Sequence, residues 1–77
     1  MSKYLTPQQI EAMASTALTT FEVCCDWDEA TRAAAEHCID EYGFIPRRSA
    51  VLLARKQAQL RWYAIKEATR KAIREGA

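Results

Sequence analysis

The stretch PRRSAVLLARKQAQLRWYAIKEATRKAIREG, residues 46–76, decides the reading of this chain. After Pro46 it holds no proline, and no glycine before Gly76, while alanine recurs throughout, so it reads as one long helix. Pro46 suits a first helical position, and Ser49 is an alternative cap. The expected helix spans about 46–75, roughly 40–45 Å at 1.5 Å per residue. On a helical wheel Val51, Ala54, Ala58, Trp62, Ile65, Ala72 and, at the edge, Ala68 share one side, which is the expected core face with Trp62 as its anchor. Leu53, Leu60 and Tyr63 point largely the other way, as a partner or dimer contact does unless another helix covers it. Arg55, Gln59, Lys66, Arg70 and Arg74 follow one flank, with Lys56 and Lys71 close by and Arg61 in the same run.

Charge divides the chain at this helix. From Arg47 onward there are nine Lys or Arg against two acids, Glu67 and Glu75. The first 46 residues carry eight acids against Lys3 and Arg32, so the net charge of +1 conceals a dipolar molecule. Arg47 and Arg48 are cations in the first turn of a helix, where they oppose its dipole. Such an excess of base suits three settings: a solvated face beside the acidic helices of the same chain, an acidic surface on a protein partner, or nucleic-acid phosphate.

Working backward, Thr6, Pro7 and Gln9 form a helix start of the capping-box kind. Ile10, Met13, Ala14, Ala17, Leu18, Phe21 and Cys24 or Cys25 then recur at three- and four-residue spacing, an apolar stripe for a first helix over about 7–25. Asp26-Trp27-Asp28-Glu29 reads as the junction with a second helix over about 27–42, capped by Asp26 or Asp28. Its inner face is Ala30, Ala34, Cys38 and Tyr42, and Arg32 pairs with Glu36 outside. Gly43 permits a left-handed stop, with Phe44 placed to pack on Ile39. The expected fold is all-α, one small three-helix domain over residues 1–77 with a long C-terminal helix overhanging two shorter ones.

At 77 residues with 49% apolar and 27% charged content, the chain fits a single folded domain with a small core. Three cysteines fit a reducing interior better than a disulfide framework. Met1–Pro7 has no apolar signal core, and no apolar run approaches the roughly 20 residues that span a bilayer. The expected location is the cytoplasm, away from membranes.

No catalytic constellation is visible. The only glycines are Gly43 and Gly76, so no glycine-rich loop exists to cradle phosphate. Cys24, Cys25, His37 and Cys38 are potential ligands, yet adjacent residues on a helix diverge by about 100° and share one ion badly. No metal or cofactor is expected. A helix-turn-helix reading across Gly43 fails where Ile39 replaces a small residue and Ser49 an apolar one. The expected function is non-catalytic macromolecule binding through Arg47, Arg48, Arg55, Lys56, Arg61, Lys66, Arg70 and Arg74, with Leu53, Leu60 and Tyr63 as apolar anchors. The expected partner is a protein with an acidic surface, with a homodimer as a further possibility. Size and style associate such a domain with phage or mobile-element accessory proteins that inhibit or modulate host complexes, anti-CRISPR proteins among them. The alternative is a nucleic-acid-binding regulator using the same basic helix.

Overall fold

The structure is a computed structural model that describes residues 5–76; Lys3, one of the two bases of the acidic half, lies outside them. The fold is all-α, in the order α1 (Pro7–Cys24), α2 (Trp27–Tyr42) and α3 (Arg48–Gly76).

Local chemistry sets each boundary. At α1 the capping box is complete: the Thr6 N–H donates to Gln9 Oε1 at 2.8 Å, and the Gln9 N–H donates to Thr6 Oγ1 at 3.2 Å. The helix stops one residue before the expected end, because Cys25 adopts a left-handed backbone with φ 57° and donates its N–H to the Phe21 carbonyl at 2.7 Å. Asp26 caps α2, its carboxylate accepting from the Asp28 N–H at 2.9 Å. Gly43, at φ 75°, closes α2 and donates to the Ile39 carbonyl at 3.0 Å. Ile39 is exposed, whereas Phe44 turns inward against the core beside the Tyr42 ring.

The third helix begins two residues later than Pro46 suggests. The Arg47 carbonyl accepts the first helical hydrogen bond, from the Val51 N–H at 3.1 Å. Pro46 is buried in the linker instead, and Ser49, the alternative cap, lies inside the first turn.

The core consists of Met13, Ala14, Ala17 and Phe21 of α1, Ala30, Ala34 and Cys38 of α2, and Ala54 and Ala58 of α3. Alanine supplies contacts from every helix, which lets the backbones approach closely but buries little area at each. Larger side chains compensate at one end. Phe21 stacks on Trp27 with centroids 3.8 Å apart and meets the Trp62 edge at 5.1 Å, joining all three helices. The expected α1 stripe holds except at Cys24 and Cys25, both exposed where the chain leaves the helix.

Helix α3 outlasts the other two. Its 29 residues extend about 43 Å, and every described residue from Tyr63 onward is exposed. The radius of gyration, 14.2 Å, accordingly exceeds the roughly 11 Å of a compact chain this long. Ile65, Ala68 and Ala72, expected in the core, are exposed: the line on which they lie is the core line, but α1 and α2 end before reaching them.

Candidate binding surface on the third helix

Two of the expected docking bases fold back on the chain itself. Arg55 pairs with Asp28 at 3.4 Å, and Arg61 pairs with Glu11 at 3.3 Å while donating to Ser15 Oγ at 3.0 Å. Both guanidiniums are half-buried against acids of α1 and α2, so part of the basic face neutralises the acidic helices. The acid partners are largely exposed, which limits each pair to at most about 1 kcal/mol. Lys66 holds its ammonium 4.9 Å from the Trp62 ring centre, a cation–π contact where α3 leaves the body.

The other bases face solvent. Arg47 and Arg48 are exposed at the start of α3, whose first turn contains no acid. Among the described residues Lys56, Arg70, Lys71 and Arg74 are exposed without an ion-pair partner, although Glu67 and Glu75 stand four residues from Lys71. In the α1–α2 half Glu22, Asp40 and Glu41 have no ion pair among the described residues. Arg32 is satisfied by Glu36 at 3.1 Å and Glu29 at 3.9 Å.

Apolar side chains accompany these bases on two lines. Leu53, Leu60 and Tyr63 are 44, 60 and 63% exposed, so neither α1 nor α2 covers them. On the other line Ile65 and Ile73 continue the core-facing side past the body, 47 and 70% exposed. Sequence periodicity placed Ile65 correctly on its face; the signal for its exposure was the shortness of the two preceding helices. Trp27, read only as part of a junction, is the stacking partner that periodicity did not reveal.

The cysteines and histidine divide by position. Cys24 and Cys25 are exposed at the α1 end, while the buried Cys38 thiol donates to the Phe44 carbonyl at 3.4 Å. Burial pushes the Cys38 pKa up, away from the nucleophilic thiolate. The His37 ring lies edge-on to Tyr42 at 5.9 Å. Among the described residues no group of three or more His, Cys, Asp or Glu is placed to share a metal ion, and no helix is long and apolar enough to cross a membrane. Compared with protein-family models, curated proteins and solved structures, the chain has no match.

Proposed function

We propose that the protein is a non-catalytic binding module that docks the free half of α3 on an acidic protein surface. One observation carries this reading: from Tyr63 to Gly76 the helix stands clear of the body, yet it keeps Ile65 and Ile73 beside Lys66, Arg70, Lys71 and Arg74. A helix with apolar anchors inside a charged rim has the composition of a helix-in-groove ligand. The body supplies what such a ligand lacks alone, since an isolated helix of about this length is marginal in water. The Trp62 anchor fixes the exit direction, so less ordering is needed on binding. Arg55 and Arg61 are paired with acids of the body and contribute to steering only through the remaining field. The biological class we propose is a phage or mobile-element accessory protein that inhibits or modulates a host protein complex in the anti-CRISPR manner; its support is the small helical body with one projecting working element.

The test is affinity capture from native cells with and without nuclease, comparing the wild type with Ile65→Asp and with Lys71→Glu/Arg74→Glu. A protein retained after nuclease and lost with either variant is expected. Recovery that disappears with nuclease, together with a steep log-linear salt dependence, indicates phosphate binding by the basic helix instead.

A further inference from the structure

The outer line of α3 is self-complementary. Leu53, Lys56, Leu60, Tyr63, Glu67 and Arg70 follow one another at alternating three- and four-residue steps, the spacing of a coiled-coil seam. All six are exposed, and they lie opposite Ala54 and Ala58, so the body stands clear of anything docked there. Among the described residues Lys56 and Glu67 have no ion-pair partner within the chain.

Register selects the occupant. When two copies lie antiparallel, with the two-fold axis level with Arg61 and Trp62, each Leu60 meets Tyr63 of the second copy. Each Lys56 then meets Glu67 of the second copy, and each Leu53 packs on the aliphatic stem of the opposing Arg70. A parallel pairing sets Lys56, Glu67 and Arg70 each against its own copy, three like-charge contacts. Sliding the antiparallel pair by one heptad sets Lys56 against Leu60 in one direction and against Arg74 in the other. Only one arrangement joins the apolar residues in the middle and opposite charges at both ends.

We infer that the protein forms a two-fold dimer through antiparallel packing of α3 on α3, in this register. The inference does not rest on the proposed partner: the Ile65 line stays on the far side of the helix, and of the residues assigned to docking only Arg70 also lies in the seam. The dimer carries its two bodies at opposite ends and exposes one basic half-helix beside each.

Sedimentation equilibrium over the micromolar range tests it, with far-UV circular dichroism confirming that each variant keeps its helix content. The wild type is expected to sediment as a dimer, and Leu60→Asp to weaken association at least roughly tenfold. Lys56→Glu is expected to weaken it between severalfold and roughly thirtyfold by spoiling both ion pairs. Adding Glu67→Lys should restore the dimer, and this reports register specifically: the two residues are too far apart on one helix, about 16 Å, to pair within a chain. A wild-type monomer at high micromolar concentration overturns the dimer. A dimer indifferent to Leu60→Asp overturns the surface, and failure of the charge exchange to restore association overturns the antiparallel register.

Discussion

Two residues end helices in the same left-handed backbone region with opposite chemistry. Gly43, at φ 75°, has no side chain to strain, and a Cβ there would meet nothing within 4 Å. Cys25 adopts φ 57° with a Cβ, although its hydrogen bond to Phe21 is as good as the one Gly43 makes to Ile39. Cys25→Gly should therefore stabilise the fold by about 0.5–1 kcal/mol, and Gly43→Ala should destabilise it by about 1 kcal/mol through local backbone strain, with no clash against other residues. Urea denaturation of the pair checks both signs. The glycine stop was legible in the sequence because glycine announces its conformation. The cysteine stop was not: its only signal was the cluster of acids that follows, and apolar periodicity carried Cys24 and Cys25 into the stripe.

Among the elements, α3 contains two environments on one continuous line. Ala58 is fully buried between helices, and Ala72 lies four turns on, exposed. The same enlargement therefore has two outcomes. Ala58→Leu should cost about 1–3 kcal/mol or more by overpacking a close helix contact, whereas Ala72→Leu should change stability by no more than about 0.5 kcal/mol. Thermal unfolding of the two variants separates them. The caps of α1 and α2, the inner faces of all three helices and the overhang itself were readable from local patterns, since capping and 3.6-residue periodicity are properties of short segments. Where the overhang begins was not, because that depends on how the three helices cross. The ion pairs Arg55–Asp28 and Arg61–Glu11 were hidden for the same reason: they join residues distant in the chain.

Considered as a whole, the molecule is nearly neutral with separated charge, +1 overall and a pI near 7.7. Eight bases of α3 face two acids of its own, and the α1–α2 half has the reverse excess. Near its pI such a molecule has little net repulsion and strong oriented attraction between copies. Solutions at about pH 7.7 should turn cloudy in a few millimolar salt and clear by about 0.3 M, where charges are screened within several ångströms. Turbidity against ionic strength measures this, and a solution that stays clear in low salt contradicts it. Fold class was legible because composition and periodicity report it directly, but the binding target was not, since an exposed basic helix states the sign of its partner and little else. The aromatic junction has one more consequence. Trp27 stacks on one side of the junction against Phe21, and Trp62 meets Phe21 edge-on at the exit of α3 under Lys66. The chain thus carries two tryptophan fluorophores on one phenylalanine, both sensitive to the integrity of the body and Trp62 also to the arrival of anything at the projecting helix, with no label attached.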